Sequence, residues 1–93
     1  MILEVAILNI KKGLSQDLEA NFKKAELIIA SNKGYISHQL KKCIEVENKY
    51  ILLVNWETIE DHEIGFRTSE KYQEWKTLLH HFYQPFPKVE HYK

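Results

Sequence analysis

Four segments of the chain have the apolar spacing of β-strands, and they lie at residues 2–10, 35–46, 50–57 and 88–92. The first and third are rich in Ile, Leu and Val and are apolar on both faces, which is typical of strands in the middle of a sheet. The second alternates more regularly and indicates a strand nearer an edge. Its apolar face carries Ile36, Leu40, Ile44 and Val46. A tight turn at 47–49 makes the third strand antiparallel to the second.

The segments that follow strands one and three have helical spacing instead. Ser15 is the predicted N-cap of the first helix, whose apolar positions are Leu18, Phe22, Ala25 and Ile29. Thr58 and Asp61 are spaced as a capping box that opens a short second helix. Gly65 interrupts that helix, and Ser69 is predicted to cap a third one. The third helix has an apolar stripe at Tyr72, Trp75, Leu79 and Phe82 and ends at Pro85 and Pro87.

This order of elements predicts one α+β domain over residues 1–93, with a ferredoxin-like βαββαβ fold and an antiparallel sheet. In this arrangement strands one and three lie in the middle, and the helices cover one face of the sheet. The other face of the two middle strands is still apolar. A second copy of the chain, packed sheet to sheet, is the simplest cover for it. We therefore expect a homodimer, and an uncovered apolar face is the alternative.

Charge and cysteine content restrict the partners of this domain. Lys plus Arg and Asp plus Glu both number 13, so the net charge is zero. No long basic run is present to follow a phosphate backbone, so nucleic acid is not an expected partner. The single cysteine, Cys43, allows neither an intrachain disulfide nor a thiolate-rich zinc site. No apolar run approaches the roughly 18 residues of a membrane span, and residues 1–4 lack the basic start of a secretory signal. We expect a cytoplasmic protein without a membrane partner.

The second half of the chain contains a distinctive motif. In order, it reads Trp56, His62, Phe66-Arg67, Ser69, Tyr72, Trp75 and the run from Pro85 to Tyr92. This pattern resembles the antibiotic biosynthesis monooxygenase domain family, in its branch of small bacterial and fungal proteins. The resemblance covers the whole chain in topology and the last half in motif. It implies a dimeric α/β barrel of two ferredoxin-like subunits, each with a pocket between the sheet and the helices.

The resemblance also implies a range of activities. Some members of the family oxidise phenolic polyketides or quinols with oxygen and without metal or flavin, and others bind and degrade haem. The haem-degrading members use an Asn on the first strand, a Trp on the helix after the third strand and a His one helix later. Here Ala6 stands at the first of those positions, Gly65 or Phe66 at the second, and Lys76 or Trp75 near the third. Asn9 lies near the end of strand one, so the triad is not reproduced. The resemblance therefore implies a monooxygenase or oxidase of a small aromatic compound that needs no cofactor.

Histidines are the candidate bases, because a cofactor-free oxygenase must deprotonate or hold a phenol-like substrate in a dry cavity. His62 shares a helix face with Phe66 and points inward, either as a base or as a buried histidine with a structural hydrogen bond. His38 is the one polar residue on the apolar face of strand two, where it either lines a pocket or reaches solvent. His81 is expected to face the interior and His80 the flank of the last helix.

Five further side chains are candidates for contact with a substrate, and they are Trp56, Phe66, Arg67, Tyr72 and Trp75. The alternative for the aromatic residues is core packing, which is the usual role of an aromatic stripe at helical spacing. Arg67 either binds an anionic group or forms a salt bridge with a nearby glutamate. The histidine spacing is not that of a metal site. A non-catalytic dimer that binds or senses a small ligand, a haem-binding protein and a core without any pocket remain alternatives.

Overall fold

The computed structural model covers residues 1–93 and contains one four-stranded antiparallel sheet with helices packed on one face. The strands are β1 (Ile2–Asn9), β2 (Tyr35–Lys42), β3 (Lys49–Trp56) and β4 (Val89–Tyr92). The α-helices are α1 (Ser15–Ala30) and α2 (Glu70–Leu79). A π-helix (Asp61–Phe66) precedes α2, and a 3-10 turn (His80–Phe82) follows it. The predicted ferredoxin-like α+β fold is confirmed.

The strand order is β2-β3-β1-β4, so β1 and β3 occupy the middle of the sheet as predicted. Residues directly opposite each other on neighbouring strands lie on the same face. One such row on the inner face joins all four strands. In that row Glu4 is opposite Val54 on one side and His91 on the other, and Val54 is opposite His38. The register therefore places a carboxyl group at the centre of the inner face and a histidine at each edge.

The hydrophobic core lies between the inner sheet face and the two α-helices. Helix α1 buries the four apolar positions that the sequence predicts, and α2 buries Trp75 and Leu79. Burial of each large apolar side chain stabilises the fold by roughly 1.5–3 kcal/mol. The buried polar residues in this core are Glu4 and His62. Because burial of an unpaired polar group costs free energy, we expect these two side chains to be paired within the core.

The predicted helix caps are confirmed at two positions and wrong at a third. The Ser69 hydroxyl accepts a hydrogen bond from the Tyr72 amide at 3.2 Å, and Thr58 accepts one from the Asp61 amide at 3.2 Å. Ser15, however, caps nothing: it is the first residue of α1, and its hydroxyl donates to Asn48 Oδ1 at 2.6 Å. A tertiary hydrogen bond to the turn before β3 thus replaces the local cap.

Strand β2 is shorter than the sequence predicts. It ends at Lys42 rather than at residue 46, and Ile44 is 94% exposed. The prediction was wrong because the alternation of apolar residues continues to Val46, past the end of the strand. No helix covers residues 43–46, so Ile44 and Val46 stay exposed. The connection to β3 closes at Asn48, whose positive φ of 60° is one that asparagine tolerates.

The outer sheet face is apolar along its centre. Leu3 and Val5 of β1 and Ile51 and Leu53 of β3 are half-buried there. The ends of their cross-strand rows are polar, with Ser37, Gln39 and Lys41 on β2 and Glu90 on β4. This is the surface on which the sequence predicts dimerisation, which stays a prediction. None of the helices combines the length and the apolar character needed to cross a bilayer.

Candidate functional site

The π-helix after β3 positions the central histidine of the candidate site. Its wider turns are visible in the hydrogen bond from the Arg67 amide to the His62 carbonyl, five residues back, at 3.1 Å. π-Helical turns are rare and frequently occur at functional sites. This one directs both His62 and Phe66 into the core, where each is almost completely buried. The inward direction of His62 agrees with the sequence prediction.

A second feature fixes the start of this π-helix. Gly34 has a positive φ of 83°, and a Cβ atom at that residue would lie 2.1 Å from Asp61 Oδ2. The Asp61 carboxylate in turn accepts a hydrogen bond from the Thr58 hydroxyl at 2.9 Å. Only glycine permits both the backbone conformation and the close approach. The position of His62 thus depends on the turn between α1 and β2.

The Glu4 carboxyl group meets two aromatic rings in the core. The Trp56 indole Nε1 donates a hydrogen bond to Glu4 Oε1 at 2.9 Å, and His62 Nε2 lies 3.3 Å from the same oxygen. The imidazole also stacks on the indole, with ring centroids 5.3 Å apart. No hydrogen bond within the protein involves Glu4 Oε2, and because no fully buried side-chain oxygen lacks a partner, Oε2 is accessible from the cavity that Glu4 lines. It is therefore the oxygen that a ligand can use.

The His62 ring nitrogen that faces away from Glu4 contacts residues nearer the protein surface. His62 Nδ1 is hydrogen-bonded to His91 Nε2 of β4 at 2.8 Å. His91 Nδ1 lies 3.6 Å from Glu63 Oε1, and the Glu63 side chain is 47% exposed. Four ionisable side chains from β1, the π-helix and β4 therefore form one continuous series.

Burial shifts the proton affinities of this cluster. It raises the pKa of Glu4 above 4.5, while the hydrogen bond from Trp56 and the positive charge of Arg67 oppose that shift. It lowers the pKa of His62 from 6.5 to about 3, and the charges of Arg67 and His91 act in the same direction. Both pKa shifts reflect the same cause, because burial favours the uncharged form of each side chain. His62 is therefore a neutral imidazole at pH 7, and its contact with Glu4 is not an ion pair.

A cavity of about 60 Å³ lies between this cluster and the helices. Its apolar wall includes Ala6, Leu8, Ile29, Leu52, Phe66, Trp75 and Val89. Its polar groups come from Glu4, His62, Arg67, Tyr72, His80 and Tyr83. Phe86, which is 62% exposed, and the exposed Arg67 also line the cavity and place its opening beside them.

The polar residues near that opening are also perturbed by burial. The pKa of His80 falls from 6.5 to about 4 because of burial and of the nearby Lys76 charge. The pKa of Tyr83 is raised, chiefly by burial. The His80 ring lies edge-on to Phe86, with centroids 4.9 Å apart. These groups are neutral at pH 7, so Arg67 supplies the positive charge next to Glu4.

The structure brings together five of the eight residues that the sequence singles out. The cavity is lined by His62, Phe66, Arg67, Tyr72 and Trp75. Trp56 lies beneath the cavity as the hydrogen-bond donor to Glu4 and does not line it. Arg67 forms none of the salt bridges that were its alternative. The functional roles of these residues stay predictions.

His38 and His81 lie away from the cavity. His38 bonds to the Tyr35 hydroxyl at 2.5 Å and to Glu26 Oε2 at 3.0 Å, between β2 and α1. The expectation that His81 faces the interior is wrong, because His81 is exposed and His80 lines the cavity instead. Helix α2 ends at Leu79, and the tighter 3-10 turn rotates the two residues that follow it.

Glu4, His80, Tyr83 and His91 also belong to the site, and none of them is among the site residues predicted from the sequence. The sequence does contain one indication of the role of Glu4. It shares its strand face with Ala6, Leu8 and Ile10, so it is a lone carboxyl group on an otherwise apolar face of a middle strand. Such a residue is almost never fully buried unless it is paired.

Comparison with known proteins identifies the family. The family described as antibiotic biosynthesis monooxygenase matches residues 1–78. The uncharacterised protein YczJ of Bacillus subtilis strain 168 is 58% identical over 93 residues, which is 100% of this chain and 98% of that relative.

Solved structures agree with this assignment. A Bordetella bronchiseptica protein assigned to the antibiotic biosynthesis monooxygenases is 32% identical, with a TM-score of 0.95 over 99% of this chain and 94% of that one. SnoaB, a cofactor-independent oxygenase of Streptomyces nogalater, shares the fold at 14% identity, with a TM-score of 0.85 over 99% of this chain and 90% of its own. The chain therefore belongs to the antibiotic biosynthesis monooxygenase family.

Proposed function

We propose that this protein is a monooxygenase or oxidase that uses oxygen without a cofactor and acts on a small, electron-rich aromatic compound of the quinol or polyketide type. The observation that carries the proposal is Glu4, a buried carboxyl group with one unpartnered oxygen in the wall of an aromatic cavity. The name of the SnoaB relative as a cofactor-independent oxygenase supports the reaction class.

Glu4 is the base in this proposal, in place of His62. An imidazole with a pKa of about 3 is a weak acceptor for a phenol proton at pH 7. A carboxylate whose pKa burial raises is a stronger acceptor, and Oε2 is free to receive the proton. His62 then acts on the opposite oxygen, where it lies 3.3 Å from Oε1 and holds the orientation of the carboxyl group.

The chemistry that follows needs only the phenolate and oxygen. The deprotonated quinol gives two electrons and its remaining proton to O₂, and the proton held by Glu4 completes the reaction, which yields a quinone and hydrogen peroxide. In monooxygenation, one oxygen atom enters the ring system and the other leaves as water with two substrate hydrogens. The Arg67 charge, which reaches both Glu4 and His62, stabilises the phenolate and reduced oxygen. The aromatic wall keeps water away from these species.

The size of the cavity limits the substrate. Pockets that bury small molecules usually measure about 300–1,000 Å³, and this cavity measures about 60 Å³. Substrate entry therefore requires Phe86 and Arg67 to move away from the opening. A single-ring or slender fused-ring phenol fits this geometry better than a haem, which requires a wide cleft.

Oxygen uptake with a panel of hydroquinones and polyphenols, measured in the presence of a chelator, tests the proposal. We expect turnover that the chelator does not reduce. A folded protein that consumes no oxygen with any of these compounds, but whose tryptophan fluorescence changes when they bind, would contradict it and support a non-catalytic ligand-binding domain.

We also propose an assembly and a cellular location for the protein. The protein acts as a homodimer in which two copies pack through their outer sheet faces, since that face is apolar at its centre and polar at its ends. It acts in the cytoplasm, where its one cysteine stays reduced.

A further inference from the structure

We propose that four side chains form a proton relay between the cavity and the surface: Glu4, His62, His91 and Glu63. The relay rests on the proposed function, in which Glu4 receives a proton from the substrate. It extends the site to β4, because His91 lies beyond residues 1–78, where the family match ends. Glu4 is the catalytic residue, and the other three are positioning residues that act through it.

The geometry of the series fits proton transfer. Successive polar atoms are separated by 3.3 Å, 2.8 Å and 3.6 Å from Glu4 to Glu63. The side chains are 7%, 4%, 13% and 47% exposed in the same order, so the series runs from the core to solvent. The middle contact is a formed hydrogen bond, and small rotations of the carboxyl groups align the outer two, as often happens when a ligand binds.

The protons balance along the series when each imidazole carries one ring proton. Once Oε2 has taken the substrate proton, the carboxyl group turns so that this oxygen faces His62 Nε2. The proton then passes to Nε2 while the proton on His62 Nδ1 passes to His91 Nε2. The proton on His91 Nδ1 then passes to Glu63. Each imidazole carries one proton before and after the transfer, and only its position on the ring changes.

The reverse transfer completes the cycle. The reduction of oxygen to peroxide or water consumes the protons that the substrate releases, so the overall reaction leaves no proton behind. A proton that returns from Glu63 through the two histidines to Glu4 serves that step, and it restores both original ring positions. The positive charge of Arg67 next to Glu4 and His62 favours proton movement away from the cavity when the substrate is deprotonated.

The other clusters of the molecule lack this connection. The Tyr35–His38–Glu26 series borders no cavity, and its members are held by hydrogen bonds between β2 and α1. The Glu4 series is the one that begins in the cavity and ends at an exposed carboxylate.

Solvent exchange of ring protons in protein labelled with ¹⁵N tests the relay without any substrate. The His62 ring and the Trp56 Nε1–H are both buried beside the same carboxyl oxygen, but only the ring proton of His62, on Nδ1 or Nε2, belongs to the relay. We expect the His62 proton to exchange with water at least about tenfold faster than the Trp56 proton. The His91→Gln variant keeps a polar side chain but cannot pass a proton on, so it should slow His62 exchange about tenfold and leave Trp56 exchange unchanged.

Glu63→Gln provides a second variant, since this exposed side chain can be changed without disturbing the core, and Glu60→Gln is its matched control. Slower His62 exchange in Glu63→Gln, but not in Glu60→Gln, would support the relay. His62 exchange as slow as Trp56 exchange in the wild type, or unaffected by His91→Gln and Glu63→Gln, would overturn it. With an oxidisable substrate, His91→Gln should lower kcat rather than raise KM, and added imidazole should restore part of kcat. The exchange result decides the relay even if no substrate is turned over.

Discussion

The imidazole of His62 lies parallel to the indole of Trp56, with ring planes inclined by 20° and centroids 5.3 Å apart. A nitrogen of each ring approaches the same oxygen of Glu4, 52 residues before Trp56 in the chain. The site therefore depends on the pairing of β1 with β3 and on the π-helix that follows β3. Both rings hold one carboxyl group in a fixed orientation at the wall of the cavity.

Replacement of Glu4 by Gln should leave the protein as stable as the wild type at pH 7 or make it more stable. Gln keeps the oxygen that accepts from Trp56 and removes a charge whose burial is unfavourable, as the raised pKa of Glu4 indicates. Glu4→Ala should instead cost about 1–3 kcal/mol, because the indole N–H is left without a partner. Chemical denaturation of both variants checks this. Equal losses in the two variants would show that the carboxylate charge stabilises the fold.

The buried His62 should make the protein less stable in acid. Its folded pKa of about 3 lies below the ordinary 6.5, so between these pH values the unfolded chain binds a proton that the folded chain lacks. Stability due to this group is full above pH 6.5 and is lost as the pH falls, with a slope of up to about 1.4 kcal/mol per pH unit. His80, whose pKa is lowered to about 4, acts in the same direction. Glu4 acts in the opposite direction above pH 4.5, because its folded form retains its proton longer.

His62→Gln should therefore show a weaker dependence of stability on pH between 6.5 and 4 than the wild type. Urea denaturation at several pH values measures this slope. His81→Gln is the control, since that side chain is exposed and lies outside the cavity. Parallel curves for the wild type and His62→Gln would contradict the neutral, buried state of His62.

Substitutions at two glycines distinguish the stability cost of backbone strain from the cost of a close contact. Gly13 and Gly34 have the same positive φ of 83°, but an added Cβ meets nothing within 4 Å at Gly13 and Asp61 at Gly34. Gly13→Ala should cost roughly 1–2 kcal/mol from backbone strain alone. Gly34→Ala should cost about 1–3 kcal/mol more, because Asp61 must move and the π-helix with it. Thermal unfolding compares the two variants, and an equal loss would mean that the Asp61 contact is unimportant.

The proposed homodimer predicts a solution mass of twice the 11.1 kDa chain mass in light scattering. Leu53→Lys places a charge at the centre of the outer sheet face and should yield monomers. Ile44→Lys is the control, since Ile44 is 94% exposed in the connection between β2 and β3. A monomeric wild type would contradict sheet-to-sheet packing.

The sequence predicts the fold well because its signals are local and repeated. Apolar residues on both faces of β1 and β3 correctly place these strands in the middle of the sheet, and the helical stripes face the core. The failures have specific physical causes. Alternation continues to Val46 although nothing covers the chain after Lys42. The change from α-helix to 3-10 turn after Leu79 exchanges the directions expected for His80 and His81.

The candidate site is less predictable from sequence than the fold, because Glu4 is recognised as a site residue only through the side chains that surround it. His62 and the aromatic lining residues belong to the motif in the second half of the chain and are found from sequence. Glu4 lies on β1 and His91 on β4, and only the sheet register brings them together beside His62. A lone carboxyl group on the inner face of a middle strand is the signal that could have revealed Glu4.

Oxygen uptake by Glu4→Gln decides whether Glu4 is the base. The variant would be compared with the wild type and with Glu57→Gln, a matched change at an exposed carboxylate, in chelator and with the phenol that the wild type oxidises fastest. We expect Glu4→Gln to be folded and its kcat to fall about 100-fold or more, while Glu57→Gln keeps wild-type activity. A folded Glu4→Gln protein that oxidises the phenol at the wild-type rate would contradict the assignment of Glu4 as the base.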